Sequence, residues 1–509
     1  MNYPAARAMY DQISVPMMGT QLPRQIPSDL ARVSLCLIAA IVVLIAKPAF
    51  TRVEPLVVVW TTAGALLAFA IWEMSAVRKR GGNPWTSASS VACSYYFFRY
   101  GIGVLVIYYW DMFPWEAVPI YKVKFYTLGA RQNLESSCQL ILLGGLGLFM
   151  AMGLNAGRLA QALPNIKWPI DEHRLRTRLI LYTPVALVVL LYLQSRLPLT
   201  LQFAASTLGT IIYPAIAVIS YFVFSPSADG QRSKWALSIG LLCGASLIAG
   251  LMSGQISEVL LPWSMAVVGY MLARRSPPWK FMLIVAPVLM FVVFPYLTLY
   301  KAAGPKIISR TIDDRMALVR DQLTLTDYQL ATEITIYRFV GRMALAEFPA
   351  IYSRYYPDIY PYANGETFKQ EFAVVVPRFL WPNKPEISIE LNRYAAAVGI
   401  IRTDDGTSAV FDAVSEYYLN GGAIAVLFLC ALHGVYLTIL YSWLTDNLSY
   451  VIGGSIFFSL FLINLDFFGV GQMFMSHIKI LPVWILLFYF MSRRASSRSA
   501  SGSTAYVTA

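Results

Sequence analysis

Stretches of about 20 mostly apolar residues, each long enough to cross a hydrocarbon core about 30 Å thick, recur along nearly the whole chain. Short polar connections separate them, apart from one long polar segment. The pattern predicts twelve spans, at residues 33–50, 55–74, 89–110, 135–155, 177–195, 203–225, 233–252, 256–273, 279–299, 421–443, 447–465 and 474–492. In a bilayer every backbone N–H and C=O needs a partner within the protein, so such spans must be helices. The expected fold is therefore an all-α polytopic membrane protein with about 12 transmembrane helices. One large periplasmic loop lies between the ninth and tenth. The corresponding division is a cytoplasmic tail at 1–32, spans one to nine at 33–299, the loop at 300–420, the last three spans at 421–492, and a disordered Ser-rich tail at 493–509. The first 30 residues are mixed and polar, so no cleaved signal peptide is expected.

Composition agrees. The 509 residues are 57% hydrophobic and only 13% charged, where soluble chains carry about 25% charged residues. The net charge of +12 does not point to nucleic acid, because the excess sits in short clusters beside the spans. Nineteen Lys and Arg fall in the tails and short connections of one side, among them Arg78, Lys79, Arg80, Arg274, Arg275, Arg493 and Arg494, against five on the other. The positive-inside rule then places both termini in the cytoplasm and the long loop outside. All five cysteines fall in spans, so no disulfide framework is expected in the loop.

A polar segment of this length needs a reason. Ile336, Phe339, Val340 and Met343 mark one helical face, with Arg338 and Arg342 four apart on another. Tyr362-Ala363-Asn364-Gly365-Glu366-Thr367-Phe368 reads as a turn, with Asn-Gly supplying positive φ. A short helix is expected from about Ile387 to Val398, stopped by Gly399. Between them runs Pro377-Arg378-Phe379-Leu380-Trp381-Pro382-Asn383-Lys384-Pro385, whose prolines bar a helix and leave an extended strip. Guanidinium groups match phosphate oxygens bidentately, so Arg338, Arg342, Arg378, Lys384 and Arg393 can converge on a diphosphate. The competing reading pairs some of them with Glu333, Glu347 or Glu390, merely holding the loop together. Trp381 can stack on a sugar face or anchor at the headgroups.

Arg99, in the middle of the third span, is the costliest residue for an apolar setting and should face a cavity or a partner. Glu258 and Glu416 are expected at the outer ends of their spans, where each could take a hydroxyl proton or simply be an interfacial carboxylate. Glu416 opens the run Ser415-Glu416-Tyr417-Tyr418-Leu419-Asn420-Gly421-Gly422. His173 and His433 have no companion at metal-ligand spacing, so no metal site is expected. No Walker loop or Gly-rich nucleotide fingerprint occurs, so nucleotide-driven work is not expected.

Three features together resemble bacterial oligosaccharide-repeat-unit polymerases, the Wzy-type or O-antigen polymerase family. They are the Tyr362-x-x-Gly-Glu-Thr-Phe turn, the Pro377-Arg-Phe-Leu-Trp-Pro-Asn-Lys-Pro strip and the Glu416-Tyr-Tyr-Leu-Asn-Gly-Gly entry to a late span. The resemblance implies a GT-C-like membrane glycosyltransferase, independent of metal and needing no cofactor. It would pass a growing glycan from undecaprenyl diphosphate to an incoming lipid-linked repeat unit, building a surface polysaccharide or exopolysaccharide. Arg338, Arg342, Arg378, Lys384 and Arg99 would then hold diphosphate, Glu416 or Glu258 would act as base, and Trp381 and Tyr417 would meet sugar. A chain-length regulator and a flippase are the implied partners. One departure stands out: Ser253-Gly254-Gln255-Ile256 lacks the arginine that related polymerases and ligases often carry after Ser-Gly. The alternatives are a ligase of the same superfamily, or a transporter of polysaccharide or lipid-linked sugar.

Overall fold

Helix formation, the answer to an apolar surrounding, accounts for nearly all of the computed structural model. It describes residues 29–50, 52–110, 133–154, 156–165, 170–189, 207–225, 232–253, 256–297, 346–373, 387–400, 412–464 and 470–492, with scattered positions between 332 and 381. Among the described residues there is no β-strand, and the chain is a helical membrane protein. The helices are α1 (Leu30–Ile45), α2 (Pro55–Lys79), α3 (Ala88–Tyr108), α4 (Leu134–Gly153), α5 (Glu172–Val188), α6 (Ile212–Phe224), α7 (Arg232–Ser253), α8 (Ile256–Arg274) and α9 (Trp279–Leu297). Three shorter ones follow, α10 (Glu347–Tyr355), α11 (Glu366–Ala373) and α12 (Ile387–Ala397), and then α13 (Ala413–Leu448), α14 (Tyr450–Ile463) and α15 (Val470–Ser492). Among the described residues seven helices are long and apolar enough to cross a membrane: α2, α3, α4, the helix ending at Phe224, α9, α13 and α15.

The ends of these helices follow local rules. Asp29 caps α1 by accepting from the Arg32 N–H at 3.1 Å, and Pro55 opens α2, where its missing donor costs nothing. Asn364 and Gly365 adopt φ of 48° and 89°, the left-handed turn that Asn-Gly predicts. Gly399, at φ 76°, ends α12, with the Ile400 N–H reaching back to the Ala395 carbonyl at 2.8 Å.

The bundle is built around α13, which lies along α4 over much of its length. Apolar helices in an apolar solvent associate by close packing rather than by hydrophobic exclusion, so small residues mark their contacts. A Cβ on Gly147 of α4 would stand only 2.2 Å from the Leu427 carbonyl oxygen of α13, so a side chain there would force the helices apart. A second group, α6, α7, α8 and α14, packs together beside this pair.

At the end of the bundle away from α10–α12, Arg32 is not a headgroup contact but an interior one. Its Nη1 donates to Glu73 at 2.7 Å, while Nε and Nη2 both donate to the Phe149 carbonyl at 3.0 and 2.8 Å. The guanidinium also lies 3.6 Å from the Phe149 ring centroid, and both charged residues are at most 2% exposed. One side chain thus ties α1, α2 and α4. Removing one partner of such a pair strands a buried charge and costs about 3–5 kcal/mol, whereas replacing both with apolar groups is far milder. Arg32→Ala should therefore lower the melting temperature in detergent sharply, and Arg32→Met combined with Glu73→Leu should recover most of the loss.

Candidate functional site

The most informative departure from the expected fold is in α13. A helix starting at Ala413 and running unbroken to Leu448 would separate Tyr417 from His433 by about 24 Å along its axis. Instead the Tyr417 hydroxyl meets His433 Nδ1 at 3.2 Å. The break lies at Gly421 and Gly422, whose backbone is not helical; Gly422 takes φ 69°. Residues 413–420 form a short arm that doubles back along the long arm, placing its first residue, Ala413, beside a cavity also lined by Cys430 and Leu437. The sequence expectation that Glu416 stands at the mouth of the tenth span is corrected here. Glu416 is 1% exposed, on an arm folded into the bundle.

Three neighbours hold the arm. Its N-cap, Asp412, is buried and accepts from Tyr100 of α3 at 2.8 Å and from the Ser415 N–H at 3.1 Å, and from the Ser415 hydroxyl as well. The Tyr418 hydroxyl donates to the Tyr356 carbonyl at 2.7 Å, just after α10. The third neighbour is the Tyr362–Phe368 turn with α11. Asn420 donates to the Thr367 hydroxyl at 2.7 Å and to the Glu416 carbonyl at 2.8 Å, and accepts from the Gly365 N–H at 2.9 Å. Thr367 in turn donates to Glu416 Oε1 at 3.0 Å, and the Ala363 N–H to the Leu419 carbonyl at 2.8 Å. Glu371 of α11, also buried, stands close to Glu416. Gly422 is required for contact as well as for φ, because a Cβ there would lie 2.8 Å from the Tyr362 hydroxyl.

Two motifs that the sequence presents separately therefore form one buried polar junction. Of the other nominated residues, some are placed and some lie outside the described residues. Tyr417 is fully buried, packed 6.3 Å from the Phe368 ring and bonded to His433, so it does not present a face to a sugar. Trp381 is 40% exposed, open to solvent or to an interface. Arg99 is half-buried on a π-helical turn, Phe97–Gly101, within electrostatic reach of Asp412. Such turns interrupt helices most often at functional positions. Glu258 stands on α8, in the second helix group, with its side chain outside the described residues. Arg338, Arg342, Arg378 and Lys384 also lie outside the described residues, and Arg393 sits exposed on α12, its guanidinium 4.8 Å from the Tyr394 ring centroid. Sequence reasoning quoted Thr367 and Asn420 only as members of their runs and passed over Asp412 and Glu371. The available signal was the Gly421-Gly422 pair inside an otherwise helical pattern, which marks a break rather than a start.

A separate buried carboxyl lies on α10, the helix that leads into Tyr356. This helix is fastened to the start of α4 through Ser137, which donates to the Ala346 carbonyl at 2.6 Å, and through Asn133, which donates to Ser353 at 2.7 Å. Glu347, its first residue, is buried, and burial pushes its pKa from 4.5 up to about 8.

The family described as Domain of unknown function (DUF8712) matches residues 95–490, a span that includes most of α3, the turn, both arms of α13 and most of α15. No curated protein and no solved structure matches the chain.

Two outcomes follow. Asn420→Ala takes the acceptor from the Gly365 N–H and a donor from the Thr367 hydroxyl, at about 1–3 kcal/mol for an orphaned group. Limited proteolysis between residues 362 and 373 should accelerate by about tenfold or more, while the helical bundle stays intact. For Glu347, the folded state retains a proton that the unfolded chain releases. Its contribution is thus fully present below about pH 4.5 and is lost as pH rises to about 8. Melting temperature should fall across that window, and Glu347→Gln should flatten the fall.

Proposed function

We propose that this chain, which belongs to the DUF8712 family, transfers glycan between lipid-linked oligosaccharides at the outer face of a bacterial inner membrane. In this reading it has twelve spans, both termini are cytoplasmic, and repeat units carried on undecaprenyl diphosphate are joined into a surface polysaccharide. The observation that carries the reading is the junction itself. Two of the three outer motifs resembling those of repeat-unit polymerases meet in one buried hydrogen-bonded cluster. A motif pair that locks an extramembrane turn onto a folded-back helix suits an enzyme whose main task is positioning two large substrates.

The chemistry requires little of the protein. Diphosphate is already a good leaving group, so the protein must stabilise its developing charge and orient an acceptor hydroxyl. In this reading Arg338, Arg342, Arg378 and Lys384 supply cations from the loop. Arg99 supplies one from the bundle. In this reading Glu416, bonded to Thr367, holds the junction, and Glu258 is left as the carboxylate proposed to take the acceptor proton.

One observation favours a second reading, transport of a lipid-linked sugar. Broken helices whose half-helix ends lie inside the bundle are a feature of transporters, and the short arm of α13 is one.

Reconstituted protein given lipid-linked repeat units and no nucleotide separates the two. Products longer than one unit are expected, and relocation of substrate without bond formation would mean transport. Arg378→Ala should abolish elongation while leaving the melting temperature unchanged; full elongation in that variant would remove the proposed diphosphate site.

A further inference from the structure

Beneath the first turn of the short arm lies a cavity of about 50 Å³, walled by α3, α4, α13, α14 and α15. By volume it takes about three or four water-sized groups, the size of methylenes. Its walls are aromatic rings and Ala92, Leu148, Cys430, Leu437 and Met473. Four lining side chains carry polar atoms already engaged elsewhere. The Tyr96 hydroxyl donates to the Ile141 carbonyl at 2.9 Å and the Tyr100 hydroxyl to Asp412 at 2.8 Å. His433 Nδ1 meets the Tyr417 hydroxyl at 3.2 Å, and the Asn464 amide donates to the Leu460 carbonyl at 2.6 Å. A buried water needs two to four polar partners, and a void that cannot supply them stays dry and takes apolar guests.

The cavity also has an entrance. Its deeper lining residues, Tyr100, Ala413, Cys430 and Leu437, are buried, while Tyr95, His433 and Phe461 are half-buried. These three form the rim. His433 adjoins Leu432, which is 52% exposed, and Phe428, one turn away on α13, is 61% exposed. Large apolar residues exposed in this way on a membrane helix face the acyl chains. The rim therefore opens where hydrocarbon, not water, is the surrounding medium.

We propose that this cavity is a binding site for a short stretch of hydrocarbon chain from a membrane lipid, with the first turn of the short arm as its roof. Occupancy bears directly on Ala413 and Asp412, and through the arm on the junction with the Tyr362–Phe368 turn. The site does not depend on glycan transfer, since a protein without polymerase activity would still bind a chain there.

The test uses the full chain in lipid nanodiscs with two photoactivatable probes, a polyprenyl phosphate and a phosphatidylcholine, each carrying a diazirine in its chain. Labelled residues are mapped by mass spectrometry. Label is expected on Tyr95, Phe461 and Met473 in addition to the lipid-facing Phe428. Ala92→Leu, which adds side-chain volume inside the cavity, should reduce the first three by about five-fold, the effect of roughly 1 kcal/mol, and leave Phe428 unchanged. Label from the polyprenyl probe alone identifies an isoprenoid carrier as the guest; label from both identifies any lipid chain, and either result supports the site. Label on Phe428 with none on Tyr95, Phe461 or Met473 in the unmodified protein overturns the proposal. The unmodified protein decides this even if Ala92→Leu does not fold, and Leu437→Phe then serves as the filling variant.

Discussion

A helix cannot break inside an apolar bundle unless something else satisfies the backbone groups that the break releases. At Gly421 and Gly422 that requirement is met by one short turn from outside the spans. The Ala363 N–H takes the Leu419 carbonyl, and Asn420 spans the gap by bonding the Glu416 carbonyl, the Thr367 hydroxyl and the Gly365 N–H. Without the turn the short arm would leave those groups unpaired; without the short arm the turn would have no seat. Each half of the junction is thus a condition for the other, and the buried Glu416–Thr367 contact follows from their meeting.

The position of the junction in the bundle depends on close helix packing. Gly147 lets α4 approach the α13 backbone, and Tyr100 from the π-helical turn of α3 reaches Asp412 at the start of the short arm. At the far end, Arg32 and Glu73 fix α1, α2 and α4 by a buried ion pair, so the framework is held at both ends by polar contacts in apolar surroundings. Such contacts are strong where they are complete and costly where they are not. For that reason a buried carboxylate in this chain is evidence first of a joint, and of chemistry only when a partner is left for substrate. Glu416 is the clearest case: it looks like a base in the sequence and serves as a fastener in the fold.

The hydrophobic pattern alone specifies helical elements, because a 20-residue apolar stretch has one backbone solution in a bilayer. Among the described residues helices fall within the predicted stretches, seven of them long and apolar enough to cross a membrane, and the Asn364-Gly365 turn and the Gly399 stop are where φ preferences put them. The sequence also drew attention to both halves of the junction, through the Tyr362–Phe368 and Glu416–Gly422 runs. That these two runs touch, that α13 folds back on itself, and that Tyr417 turns inward to His433 are facts of the folded bundle. Periodicity reports which residues avoid water and carries no record of chain direction. An apolar arm that re-enters the bundle therefore has the same pattern as one that continues through it, and long-range hydrogen bonds alone tell them apart.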